Sequence, residues 1–313
     1  MKKKLFAYLL VLAMALSLFI MPAYATGVSG SDSGSGSVAA LAVDPEDAAL
    51  KFDSSDFTAF NVTVNSSTME VRKYNRTYVT NPIAVDSITQ GGPGGGGVIT
   101  DPYAYEKMNI YVPESAYDSQ TAPIYVVVNN TGWKPSAVKT SIVPGGTYNV
   151  AHGANPGSAP YLGGNGNSTT ENIAAALDAG YVVIDLGSRG STNSSTDSEG
   201  TKTDVGKSPA FVVDAKAAIR YLRLNDALMP GSAERIIING HSGGGGGVVI
   251  VGASGNSPDY FPYLKDLGAA GIDANGNSTI RDDVFAVTGY APITTLGDAD
   301  LSYEAMFNTR HHN

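Results

Sequence analysis

The chain has 313 residues, 42% hydrophobic and 16% charged, which is enough apolar material for a sizeable core and excludes a disordered chain. Its formal net charge of -9 comes from dispersed acids without a basic patch, which argues against a nucleic-acid partner. With no cysteine anywhere, disulfides and thiol chemistry are excluded as well.

Residues 1–25 have the three parts of a secretory signal peptide: Met1-Lys2-Lys3-Lys4, an uncharged apolar run, and the small-residue end Ala23-Tyr24-Ala25. The apolar run is short of the roughly 20 residues a spanning helix needs. Cleavage after Ala25 is expected, giving a secreted, extracellular chain of bacterial type with no membrane attachment. Residues 26–55 read as a Gly/Ser-rich linker and 56–313 as the folded domain.

Stretches 60–64, 69–74 and 76–79 carry β-branched and aromatic residues and predict antiparallel strands at a sheet edge. Residues 91–97 predict a glycine-rich loop. Residues 108–112 alternate with period two and stop at Pro113, a strand; 123–128 are apolar on both faces, as a buried parallel strand is. Asn129-Asn130-Thr131-Gly132-Trp133 follows, either an ordinary turn whose tryptophan packs on the core or a loop whose backbone approaches a reacting group at Gly132. Loop 144–166 contains His152, read as a surface residue. Ser168-Thr169-Thr170-Glu171 is a capping box opening a helix that ends at Gly180. A buried strand over 181–186 leads into a polar loop reaching Lys207. The clearest helix spans 210–224, with Phe211, Ala215, Ala218, Ile219 and Leu222 inward and Asp214, Lys216, Arg220 and Arg223 outward.

Ile236-Ile237-Ile238-Asn239-Gly240-His241-Ser242-Gly243-Gly244 is an apolar strand ending abruptly in Gly-x-Ser-x-Gly. A serine on a sharp strand-to-helix turn has strained dihedrals and needs small neighbours at positions two before and two after, here Gly240 and Gly244. Ser242 is the candidate nucleophile, flanked by His241 and by Gly243, whose N–H would meet an oxyanion. With 37 glycines the pentapeptide arises easily by chance, so its weight comes from the strand before it and the apolar run 248–251 after it. Five consecutive glycines, 243–247, each cost a helix about 1 kcal/mol relative to alanine, which implies close approach of either a substrate or a packed neighbour. Beyond the elbow, Asp273 to Ser278 reads as a turn rather than a calcium loop, and 283–290 as the next strand. A helix begins near 299–307. From Ile124 onward the order is strand, helix, strand, helix, strand, helix, which predicts an α/β fold: a mostly parallel sheet with helices on both faces.

The blocks Asp214-Ala215-Lys216-Ala217-Ala218-Ile219-Arg220-Tyr221-Leu222, Pro230-Gly231, Gly240-His241-Ser242-Gly243-Gly244, Gly252-Ala253-Ser254-Gly255-Asn256-Ser257 and Ala291-Pro292-Ile293-Thr294 resemble the bacterial tannase and feruloyl-esterase-like branch of the α/β-hydrolases. The resemblance covers about 108–307. It implies hydrolysis of esters of small aromatic acids through a Ser242 acyl-enzyme, with Gly243 and Gly132 at the oxyanion positions, and it implies no metal or cofactor. Gly243 departs from the alanine common in that family. The catalytic acid and base, which follow the serine in this fold, are not found in this chain: His311 and His312 lie on a polar tail too soon after Tyr290, and Asp298 and Asp300 come too early. The expectation is therefore a hydrolase fold truncated after the strand that follows the elbow. The competing expectations are a non-catalytic binding protein of the same fold, or a secreted serine peptidase or acyltransferase.

Overall fold

Strands that are apolar on both faces must be covered on both faces, and the sheet is built accordingly. The computed structural model describes residues 45–90, 97–150 and 168–294. The signal peptide, residues 26–44, His152, the helix expected near 299, Asp298, Asp300, His311 and His312 lie outside the described residues. In chain order the elements are α1 (Pro45–Ala49), β1 (Thr58–Val64), β2 (Ser67–Thr77), β3 (Ile88–Gln90), β4 (Gly97–Ile99), β5 (Lys107–Pro113), β6 (Pro123–Val128), β7 (Thr147–Tyr148) and α2 (Ser168–Asp178). They continue with β8 (Val182–Leu186), β9 (Ser194–Thr196), β10 (Lys202–Asp204), α3 (Ala210–Leu224), β11 (Ser232–His241), α4 (Gly243–Ala253), α5 (Phe261–Asp266) and β12 (Ala286–Tyr290).

An eight-stranded sheet runs β12-β11-β6-β8-β5-β2-β1-β7. β12, β11, β6 and β8 pair in parallel, and β5, β2 and β1 add antiparallel strands beyond β8. The expected α/β architecture is thus the observed one. Alternation along the strands divides the core between two faces. Ile124, Val126, Val128, Ile184, Ile236 and Ile238 pack with Phe211, Ala215, Ile219, Val248, Val251 and Leu264 of α3, α4 and α5. Val127 and Val183 point the other way, toward Ile173, Ala174 and Leu177 of α2. Adjacent strands β6 and β11 therefore send their connections to opposite faces. Such a reversal opens a crevice at the carboxyl ends of the two strands.

Three sequence expectations change. The linker read over 26–55 does not extend through 45–55: Leu50 and Phe52 are buried in the main core, and Asn225 ties the segment down by accepting from the Phe52 N–H at 2.8 Å and donating to the Leu50 carbonyl at 3.1 Å. The separate strands read over 69–74 and 76–79 are one strand, β2, because Asn75 keeps its place in the ladder opposite Asn109 and bonds its side chain at 2.9 Å. Asp214, Lys216 and Arg220, read as outward, are fully buried. α3 is covered all round, and its charges are tolerated because each is paired: Asp214 with Arg189, and Lys216 and Arg220 with Asp282. No helix among the described residues is long and apolar enough to cross a membrane.

Candidate active site at the β11–α4 turn

Ser242 sits between the end of β11 and the start of α4 with φ 57° and ψ -120°. Such backbone costs a non-glycine residue on the order of 1–3 kcal/mol and persists only where its surroundings over-determine it. Here the Ser242 N–H donates to the Tyr290 carbonyl of β12 at 2.9 Å, and the Ser242 carbonyl accepts from the Gly246 N–H at 2.9 Å. A Cβ on Gly240 would lie 2.5 Å from the Gly244 carbonyl oxygen, so this position admits only glycine. A Cβ on Gly244 would come no closer than 3.4 Å, to the Asn130 nitrogen, an ordinary contact. Of the two small residues that the turn was expected to need, only the first is sterically required. His241 is exposed at the end of β11 and is the one imidazole among the described residues.

The loop after β6 lies directly against this turn. A Cβ on Gly243 would fall 2.5 Å from the Trp133 nitrogen and 3.1 Å from the Gly132 nitrogen. The backbone positions expected to bear oxyanion donors, Gly243 and Gly132, are therefore adjacent, with no room for a side chain between them, although they are far apart in sequence. Gly132 has φ 69°, a left-handed conformation that favours glycine. The Trp133 N–H is engaged by the Asn130 carbonyl at 2.9 Å. The departure from the family's usual alanine at Gly243 has a physical reason, since the methyl group would strike the Trp133 backbone.

Packed neighbours account for the rest of the glycine run. A Cβ on Gly245 would meet the Tyr290 carbonyl at 2.8 Å, on Gly246 the Ile293 carbonyl at 2.6 Å, and on Gly247 the Phe211 ring at 2.0 Å. Of the two explanations left open by the sequence, close-packed protein is the one found. Beside the loop a cavity of about 400 Å³ is lined by Gly132, Trp133, Ser191, Pro209, Phe211 and Ile250 among others.

Sequence reasoning missed a polar cluster behind the loop. Arg189, in the turn after β8, donates to the Asp214 carboxylate from its backbone N–H at 2.7 Å and from its guanidinium at 2.6 Å, and its guanidinium stands 3.3 Å from Glu106. Burial pushes the Glu106 carboxyl up to about 8, and the neighbouring Asp214 charge reinforces the shift while Arg189 opposes it. Asp214, whose carboxyl burial also pushes up, takes most of the Arg189 hydrogen bonds. On the other face Asp185, near the end of β8, is pushed up to about 6 by burial, against the opposing hydrogen bond from the Ser141 hydroxyl. No periodicity marks Glu106 or Arg189 in the sequence, and the helical spacing of Asp214 predicts an outward residue. Glu106 stands just before β5 and Arg189 in the turn after β8, where a charge is ordinary.

Among the described residues no side chain hydrogen-bonds the Ser242 hydroxyl, and none supplies the missing acid–base pair. No group of three His, Asp or Glu residues among them is placed to hold a metal ion.

No protein-family model and no curated protein matches the chain. Solved structures do. A Fusobacterium nucleatum tannase is 38% identical over 83% of this chain and 45% of its own, with a TM-score of 0.60. The tannin acyl hydrolase from Lactobacillus plantarum is 32% identical over 83% of this chain and 48% of its own, with a TM-score of 0.58, and a tannin acyl hydrolase in complex with ethyl gallate matches to the same extent. A parallel sheet with a strained serine between strand and helix defines an α/β-hydrolase-type fold. Within that class the chain is similar to the bacterial tannases over 83% of its length. It spans a little under half the length of the tannase structures that it matches.

Proposed function

We propose that the chain carries the nucleophile of an exported tannase-like serine hydrolase that cleaves esters of small aromatic or phenolic acids. The observation that supports this most is the contact between the two loops: strained Ser242 opens α4 while Gly132 lies against Gly243. In this reading the Ser242 hydroxyl attacks the ester carbonyl as its proton passes to a general base from outside the described residues, which returns it to the departing alcohol, and the N–H groups of Gly243 and Gly132 donate hydrogen bonds to the oxyanion that develops. Such preorganised donors are worth roughly 10²–10³ in rate each. The alcohol leaves and water releases the acid. The ethyl gallate bound by a related tannin acyl hydrolase supports an aromatic ester as the substrate class. Export rests on residues 1–25 alone, and a secreted product beginning at Thr26 is the expected form.

Treatment with a fluorophosphonate should modify Ser242, as located by peptide mass spectrometry, and the native protein should hydrolyse methyl gallate in a reaction that Ser242→Ala abolishes. Turnover that survives Ser242→Ala, or peptide cleavage in preference to ester cleavage, would defeat this reading. The Ser242 hydroxyl has no partner among the described side chains, which favours a second reading, a binding protein that keeps the pocket. That reading is selected if gallate binds while Ser242 resists the fluorophosphonate.

A further inference from the structure

The loop bearing Gly132 is fastened by the buried side chain of Asn130 and by backbone bonds to the segment after β8. The Asn130 amide donates to the Lys134 carbonyl at 3.0 Å and to the Arg189 carbonyl at 3.2 Å, while its oxygen accepts from the Ser188 hydroxyl at 2.6 Å. Its backbone carbonyl closes the turn by accepting from the Trp133 N–H. Asn130 is 1% exposed, so none of these bonds has water as a ready substitute. Ser191 N–H adds a bond to the Trp133 carbonyl at 2.8 Å, and Ser136 and Ser188 exchange backbone bonds at 3.0 and 2.8 Å. Gly190 fits flush on the loop, for a Cβ there would lie 2.3 Å from the Pro135 nitrogen. The segment 188–191 is in turn fixed to α3 by the Arg189–Asp214 pair.

We propose that Asn130 is a positioning residue for ester cleavage, holding the Gly132 N–H at the oxyanion site, with Arg189 and Asp214 anchoring it to α3. This rests on the reading of Ser242 as nucleophile. Asn130 touches neither the nucleophile nor the bond that breaks, and acts by setting where a backbone donor points. A donor that aligns only with the developing oxyanion affects turnover rather than ground-state binding.

The test uses the protein as its source makes it, carrying Asn130→Asp or the milder Ser188→Ala, with methyl gallate, its thionoester analogue and a fluorophosphonate as probes. For Asn130→Asp the expected result is a fall in kcat of the order of 10²-fold with KM changed by less than about twofold, phosphonylation slowed in parallel, and a reduced preference for the oxygen ester over the thionoester. Ser188→Ala should show the same pattern at several-fold size. It decides the matter should Asn130→Asp lose its cooperative unfolding transition. Unchanged kcat in a folded variant, or a rise in KM alone, overturns the positioning role while leaving Ser242 in place. Failure of the wild-type protein to react at Ser242 overturns the reading of the site itself, and the positioning role with it.

Discussion

The Phe211 ring of α3 lies where a side chain on Gly247 of α4 would have to be, with Cε1 2.0 Å from the position of a Cβ. Helix contact this close ties the packing of the core to the orientation of the helix that begins at Ser242. Gly247→Ala is expected to destabilise the fold by about 1–3 kcal/mol through overpacking. Phe211→Leu in the same background should recover part of that loss, seen as a coupling in a urea-unfolding double-mutant cycle. Strictly additive effects would show that the two positions do not share the space.

The two glycines after Ser242 should respond oppositely to alanine. Gly243→Ala drives a methyl group into the Trp133 backbone at 2.5 Å, so the loop must retreat and phosphonylation of Ser242 should slow. Gly244→Ala meets only ordinary contacts from 3.4 Å outward and should leave Ser242 reactivity near that of the parent. Its helix propensity should add up to about 1 kcal/mol of stability. Equal loss of reactivity in both variants would contradict the geometry.

Among the described residues Asp282 is the sole carboxylate paired with two fully buried cations, Lys216 Nζ at 2.8 Å and Arg220 Nε at 2.9 Å. Its removal strands both. Asp282→Ala is expected to cost about 3–5 kcal/mol by chemical denaturation. Replacing all three residues by apolar ones of similar size should cost far less, because the penalty arises from uncompensated charge rather than from a lost attraction.

Buried carboxyls fix the sign of the pH dependence. Glu106 titrates at about 8 in the folded chain against 4.5 unfolded, so between these values the folded state holds more protons and stability declines as pH rises, the contribution being fully present below 4.5 and lost through about 8. Asp185, at about 6 against 3.8, acts in the same direction over the lower window. Thermal midpoints should therefore fall from pH 6 to 8 in the parent, and this slope should flatten in Glu106→Gln. Asp185→Asn should flatten the slope from pH 4 to 6. An unchanged profile in Glu106→Gln would show that its proton is not taken up on folding.

Much of this molecule was legible in the chain because apolar periodicity is a local signal. The runs around Val126, Ile184 and Ile237 announced buried parallel strands, and the abrupt end of the last one at Ser242 announced the turn. What escaped was set by residues distant in sequence. Lys216 and Arg220 have the spacing of an exposed helix face, and the segments around Tyr260, Ala270 and Asp282 make that face interior. Leu50 and Phe52 are two apolar residues in a polar stretch, too few to form a pattern, yet Asn225, just after α3, holds them in the core. Asn130 looked like any loop asparagine. Its role depends on Ser188 and Arg189, which reach it only because β6 and β8 pair.

The neighbouring parallel strands β6 and β11, aligned with Val127 opposite Asn239, also give the site a history within each folding event. Strand β8 and the whole of α3 intervene in the chain between them, so their pairing is non-local and forms only after that intervening length is organised. Neither Gly132 nor Gly243 can meet the other before then. An unfolded chain thus presents an ordinary serine, and the strained one comes into being together with the completed sheet.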